Sequence, residues 1–160
     1  MMHNWFTCKI RYIKTMENGM NKKITEPYLV DALSFTEAES RIIEEITPYM
    51  SGEFIVSGVA RANYSELFYC DDDVSGIIWY KCKLNFITLD EKTGATKRQP
   101  TNILVQATDI RDAIRRLDEG MKGTMVDYEI AAVSETAIVD VYPYEADPDV
   151  KPEFKEAENR

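Results

Sequence analysis

The sequence predicts an α+β protein of two tandem β-β-α-β-β repeats, pseudo-two-fold related, each an antiparallel sheet with one helix packed on a face. The first observation is an internal duplication: WFTCKIRYI, from Trp5 to Ile13, reappears as WYKCKLNFI, from Trp79 to Ile87. The second is a strict alternation of apolar residues within both copies. The third is a helix-start signal at matching places, 34–37 and 109–112.

Each repeat begins with a half-buried strand, because period-two alternation places apolar side chains on one face. This inner face carries Phe6, Cys8, Ile10 and Tyr12 in the first copy and Tyr80, Cys82, Leu84 and Phe86 in the second. Polar hairpin tips that contain glycine follow at 17–19 and 92–94. They lead into second strands at about 26–33 and 101–108.

A helix follows the second strand of each repeat. Ser34 with Glu37 forms a capping box, and Asp109 with Asp112 takes the same places in the second copy. An apolar stripe then runs through Phe35, Ala38, Ile42 and Ile46, and through Ile110, Ala113, Leu117 and Met121. Such a stripe predicts a helix packed on a sheet. Further strands are expected at 53–60 and 64–69, and at 127–133 and 137–143.

The duplication divides the chain into four parts. These are a first repeat at 4–70, an acidic linker at 71–77, a second repeat at 78–145 and an acidic, disordered tail at 146–160. A repeat of about 70 residues is expected to be only marginally stable by itself, because small domains bury too little of their surface. We therefore expect the two halves to share an interface.

The composition is that of a well-packed soluble protein, with 44% apolar and 29% charged residues. Much of the net charge of −9 lies in the linker and the tail, so it favours solubility rather than a cationic partner. No stretch has the apolar length of a membrane span, and no membrane partner is expected. Three cysteines without a paired spacing indicate a reducing compartment, and the expected location is cytoplasmic.

The sequence shows no catalytic or cofactor-binding motif, which predicts a protein that is not an enzyme and has no cofactor or metal. His3 is the only histidine, which excludes a histidine-based triad and a zinc site with two histidines. The segment 94–97 lacks the ending of a phosphate loop. Cys8 and Cys82 fall on the inner face, which favours buried thiols over nucleophiles. The aspartates at 71–73 could hold a divalent cation, but adjacent acids rarely converge on one ion.

The opposite side of the first strand of each repeat, called here the outer face, carries the candidate binding residues. These are Trp5, Lys9 and Arg11 in the first copy and Trp79, Lys81 and Lys83 in the second. Aromatic rings flanked by cations are how sheets hold single-stranded nucleic acid. Alternatively, both tryptophans seal the interface between the halves, with lysines at its rim. The acidic net charge opposes a nucleic-acid footprint and favours the second interpretation.

These observations predict a non-enzymatic binding or adaptor module that presents a strand face to a protein partner. The alternative is a protein that binds single-stranded nucleic acid through the same face. An enzyme would need a cleft between the repeats with carboxylates such as Glu44 and Glu119, which are equivalent by repeat. Exposed helix glutamates are the simpler interpretation of those two residues. The partner's identity, the oligomeric state and the equivalence of the two repeats stay open.

Five segments resemble a known family: Trp5–Lys9, Glu26–Ala32, Ser34–Glu39, Trp79–Lys83 and Val139–Glu145. Together they resemble the uncharacterised domain-of-unknown-function family DUF4494 of gut anaerobic bacteria and their phages. The resemblance implies no activity, substrate, cofactor or catalytic residue. Its association with mobile elements favours a role near nucleic acid or host machinery.

Overall fold

The structure, a computed structural model, describes residues 3–70 and 76–144. The candidate cation site at 71–73 lies outside the described residues, as do most of the predicted linker and the predicted tail at 146–160. No described helix has the length and apolar character needed to cross a lipid bilayer.

Eight strands and two α-helices make up the described chain. In order they are β1 (Trp5–Thr15), β2 (Asn21–Asp31), α1 (Phe35–Ile46), a 3-10 turn (Thr47–Tyr49), β3 (Phe54–Ala62), β4 (Glu66–Phe68), β5 (Ile78–Leu89), β6 (Thr96–Ala107), α2 (Ile110–Gly120), β7 (Asp127–Glu135) and β8 (Val141–Tyr142). They form two four-stranded sheets, ordered β3-β1-β2-β8 and β4-β6-β5-β7. The predicted α+β class and two-part repeat are confirmed.

The chain divides into two compact units. Unit 1 contains the described residues up to Ala62 and from Ile138 onward, and unit 2 contains Asn63–Ala137. Each unit has one sheet and one α-helix. In each sheet the long central strand pairs antiparallel with two neighbours, and a short edge strand pairs parallel.

The core of unit 1 lies between α1 and the inner face of its sheet. Its buried side chains include Phe6, Cys8, Ile10, Ala38, Ile42 and Ile46. The predicted helix stripe is therefore confirmed except at its first position. Phe35 is 49% exposed, and its ring packs edge-on against Phe6 with centroids 5.1 Å apart.

The core of unit 2 repeats this arrangement between α2 and the inner face of β5 and β6. Its buried side chains include Cys82, Leu84, Ile103, Val105, Leu117 and Met121. Ile110, the counterpart of Phe35, is again exposed. The first stripe position lies outside the core in both units.

The short strands β4 and β8 join different sheets from those that a tandem repeat predicts. The predicted strand at 64–69 corresponds to β4, which pairs with β6 in unit 2. The predicted strand at 137–143 corresponds to β8, which pairs with β2 in unit 1. An alternating pattern identifies a strand but carries no information about its partner, so strands this short can pair with either sheet.

Both sheets contain a bulge at equivalent positions. The register between β1 and β3 shifts after Lys9, and the register between β5 and β7 shifts after Lys83. A bulge bends the edge strand and weakens its ability to pair with another chain.

Candidate functional site

The outer face of β1 places Lys9 and Arg11 at the centre of the sheet of unit 1. Lys9 is paired with Pro27 on β2 and with Gly58 on β3. A side chain at Gly58 would begin 4.0 Å from Cδ of Lys9, so the lysine stem lies over this glycine. Lys9 and Arg11 are exposed. The two cations therefore project from a regular ladder of strands rather than from a loop.

These cations have no carboxylate partner in the part of the chain that the structure describes. Lys9 and Arg11 take part in none of its ion pairs, and neither does Lys23, which is paired with Ile13 on the same face. The outer face of unit 1 thus presents positive charge that is free to meet an anion.

The outer face of unit 2 carries a carboxylate among its cations. Arg98 Nε donates to Glu129 Oε1 at 2.7 Å, and Asn85 Nδ2 donates to the same oxygen at 3.2 Å. These hydrogen bonds lower the pKa of Glu129 and keep it ionised. Lys81 and Lys83 are exposed, as their counterparts in unit 1 are. The repeats therefore differ in the charge balance of equivalent faces.

The tryptophans are buried. Trp5 is 5% exposed and Trp79 is 4% exposed. The His3 ring stacks on Trp5 with centroids 5.0 Å apart, and the Tyr69 ring packs edge-on against Trp79 at 5.4 Å. Neither indole presents a free face on which a nucleic-acid base could stack.

Cys8 and Cys82 lie on the inner face and have no exposed surface. Burial raises the pKa of both thiols to about 11. The Cys8 thiol lies 3.9 Å from the carbonyl oxygen of Ala38. Both sulfurs are therefore protonated at neutral pH and shielded from solvent, as expected of core residues.

A polar cluster around Asp31 is one feature that sequence reasoning missed. Asp31 is 5% exposed, and its carboxylate accepts from the Asn4 amide at 2.9 Å and from His3 Nδ1. Arg41 donates to the Asp31 carbonyl and, at 3.2 Å, to the Pro143 carbonyl. The cluster joins the chain start, β2, α1 and the segment after β8, and thereby stabilises the fold of unit 1. His3 itself is held in this cluster by Asp31 and by the ring of Trp5.

Residues 4–144 match the model of a known family, described as Domain of unknown function (DUF4494). The chain belongs to that family. The match covers both units and confirms the resemblance seen in the sequence. A comparison with curated proteins found no match. Any function proposed for this DUF4494 chain therefore has to be argued from its own geometry.

The candidate residues of this DUF4494 chain thus fall into three groups: exposed cations, buried tryptophans and exposed helix glutamates. Lys9 and Arg11 lie together on an exposed face of unit 1, and Lys81 and Lys83 lie on the equivalent face of unit 2. Trp5 and Trp79 share those faces but are buried. Glu44 and Glu119 are exposed helix residues, one in each unit.

Unit 1 of the DUF4494 chain also has an open cleft of about 680 Å³ that the sequence did not predict. It is lined by residues 12–15, at the end of β1, and by 49–53, which begin at the last residue of the 3-10 turn. Tyr12 and Tyr49 supply its aromatic rings, and Lys14 and Glu53 supply opposite charges. The pattern offered no signal for it, because its two walls are distant in sequence.

Proposed function

We propose that this protein is a non-enzymatic binding or adaptor module that presents the outer strand face to a protein partner. The observation that carries the proposal is the pair Lys9 and Arg11, exposed and without a carboxylate partner in residues 3–70 and 76–144. The sheet fixes the backbone that carries these cations, so an anionic partner has to order only their side chains.

The burial of the tryptophans changes their part in the proposal. Trp5 and Trp79 are covered by other side chains and are not available to a partner, while Lys9, Arg11, Lys81 and Lys83 make the contact. Charged contacts of this kind speed association and select the partner more than they add affinity. The buried, protonated thiols of Cys8 and Cys82 likewise support binding rather than catalysis.

The test is a charge reversal on the outer faces, Lys9→Glu together with Lys83→Glu. The tagged protein is used to capture partners from a lysate of the native host, with and without nuclease. With the wild type we expect to capture a partner protein in stoichiometric amount, whether or not nuclease is added. With the double variant we expect to capture at least about tenfold less of that partner. The matched control is Arg111→Glu with Lys122→Glu, the same charge change on exposed residues outside the strands.

Unchanged capture by the double variant would remove the outer face from consideration. Capture that disappears on nuclease treatment and falls steeply with salt would instead indicate single-stranded nucleic acid, the alternative function, from a phage or mobile element. In that case the exposed cations would contact phosphates, since the buried indoles offer no stacking platform.

We also propose that the protein acts in the cytoplasm. None of the three described cysteines, Cys8, Cys70 and Cys82, forms a disulfide, which suits a reducing compartment. Fractionation of the native host, with the protein detected by antibody, tests the location.

A further inference from the structure

The parallel strand β8 covers only one end of β2. It pairs with β2 at Leu29 and Val30, and just before it the Val139 amide donates to the Pro27 carbonyl at 2.9 Å. From Asn21 to Glu26, β1 is the one strand that pairs with β2 within the described residues. The segment 22–26, called here the open edge, therefore has no strand on one side among the residues that the structure describes.

The backbone groups on that side follow from the alternation of the ladder. Leu29 donates outward to Asp140 at 3.0 Å, and Pro27 accepts from the same side. Alternate residues of a strand between two neighbours direct both backbone groups the same way. Thr25 and Lys23 therefore direct their amides and carbonyls outward, and both residues are exposed. The open edge offers two donors and two acceptors to an added strand.

The side chains around the open edge are cationic on both faces of the sheet. Lys23 lies on the outer face, where Arg11 is paired with the neighbouring Thr25. Lys22 and Lys14 are paired with each other on the opposite face. Glu26 is the one acidic residue in the segment. An incoming strand would meet positive charge on both of its faces.

Unit 2 provides a natural contrast at the same place. Pro100 is the counterpart of Thr25, and proline has no amide hydrogen to donate. The carbonyl of Asn102 accepts a hydrogen bond from outside the sheet formed by β5 and β6. Pro100 lies two residues before Asn102 on the same strand, so its backbone faces the same way. The neighbouring Arg98 forms an ion pair with Glu129, with 2.7 Å between Nε and Oε1. Proline on an edge strand prevents the addition of another strand.

The remaining edges of unit 1 are less suited to strand addition. β3 carries the bulge opposite Lys9, and β8 is only two residues long. Because β8 runs parallel to β2, the chain leaves it at the Asp31 end, away from Lys23. Tyr144 contacts Glu37 there at 3.2 Å. The described continuation of the chain therefore leads away from the open edge.

We propose that the open edge of unit 1 binds an extended, acidic segment of a protein partner by strand addition. Backbone hydrogen bonds to Thr25 and Lys23 provide the attachment, and carboxylates facing Lys23 and Arg11 provide the selectivity. This inference rests on the proposed binding function and deepens it, since it names the unit, the edge and the chemistry of the partner.

The experiment measures fluorescence anisotropy with the full chain and a labelled decapeptide that alternates glutamate with threonine. The alternation places every glutamate on one face of an extended strand. The key variant is Thr25→Pro, which removes one outward amide without breaking a bond to β1. Thr25→Val, which keeps the outward amide, is the matched control. A second version of the peptide carries N-methyl groups along one edge, and a third replaces glutamate with lysine.

We expect the wild type and Thr25→Val to bind the acidic peptide equally, and Thr25→Pro to bind it about tenfold more weakly. The N-methylated and lysine peptides should lose binding to the wild type by a similar factor. The N-methylated peptide keeps the test decisive if Thr25→Pro misfolds by circular dichroism. Strand addition would be overturned if the wild type did not bind the acidic peptide. It would also be overturned if Thr25→Pro bound that peptide as tightly as the wild type does and the wild type bound the N-methylated peptide equally tightly. Partner capture that depends on Lys9 and Lys83 would survive that result, so the two proposals can fail separately.

Discussion

Asp112 holds the first turn of α2 from two directions. Its carboxylate accepts from the Thr108 amide at 3.1 Å and from Arg116 Nε at 2.9 Å. Its own amide donates to the Asp109 side chain at 2.7 Å. The sequence pattern predicted the capping, because it is read from neighbouring residues. Asp112 therefore has two roles, because it caps the helix and also forms an ion pair with the guanidinium of Arg116, one turn along the helix.

Replacing Asp112 with Asn should destabilise the protein by about 1–2 kcal/mol at pH 7, because a capping and ion-pairing carboxylate is lost. Hydrogen bonding to Arg116 holds the pKa of Asp112 well below its usual range. A lowered pKa stabilises the fold above the unfolded value of about 4, and this stabilisation is lost as the pH falls further. Urea unfolding at pH 7 and at about pH 2.5 should therefore show a smaller difference from the wild type in acid.

The control for this prediction is Glu119→Gln, an exposed carboxylate on the same helix. It should leave the unfolding midpoint nearly unchanged at both pH values. The assigned ion pairing would be contradicted if the loss of unfolding free energy caused by Asp112→Asn were the same at both pH values, or larger in acid.

The candidate cations could also be predicted at the residue scale, but their environment could not. Alternation places Lys9 and Lys83 on the side opposite the core, and both are exposed. The same alternation places Trp5 on the side opposite the core and does not distinguish it from the lysines, although Trp5 is buried. Burial depends on which other groups cover a face, and local periodicity does not contain that information.

At the scale of elements, the contact between α2 and β4 depends on a glycine. A Cβ added at Gly120 would lie 2.6 Å from Cε2 of Phe68. Phe68 is the last residue of the three-residue strand β4 and packs against the core of unit 2. The glycine at the end of α2 thus provides the space in which β4 docks.

Gly120→Ala should destabilise unit 2 by about 1–3 kcal/mol, since overpacking outweighs the better helix propensity of alanine. Thermal unfolding followed by circular dichroism measures the effect. Gly52→Ala is the control, because an added Cβ there meets nothing within 4 Å. Phe68→Leu should reduce the cost of Gly120→Ala by relieving the contact, and a cost that stays the same would show that Phe68 is not its cause.

At the scale of the whole molecule, the chain order and the structural units do not coincide. Unit 2 is one continuous segment, Asn63–Ala137, while unit 1 is completed by the described residues 138–144. Within unit 1, Tyr142 packs against the core, and its ring stacks on Tyr28 with centroids 6.2 Å apart. Residues late in the chain are therefore required for a sheet that begins at its start.

A chain ending at Ala137 should lose stability in unit 1 rather than in unit 2. Without β8 the Leu29 amide and the Pro27 carbonyl lose their outward partners, and the core loses Tyr142. Hydrogen exchange should show protection falling at least about a hundredfold in β1 and β2, with a smaller change in β5 and β6. A chain ending at Tyr144 is the control and should resemble the full chain. Greater loss in β5 and β6 would instead support β8 as part of the second repeat.

The duplication and the α+β class could be read from the sequence, and so could the inner faces, the helix stripes and the caps. The faces, stripes and caps depend on alternation or on neighbours three or four residues apart, and the duplication is found by comparing two parts of the same sequence. Four features required the folded structure: the sheets that β4 and β8 join, the burial of Trp5 and Trp79, the contact of Arg98 with Glu129, and the open edge of β2. Each of these depends on contacts between residues distant in sequence, because pairing and burial are set by the packing of whole elements.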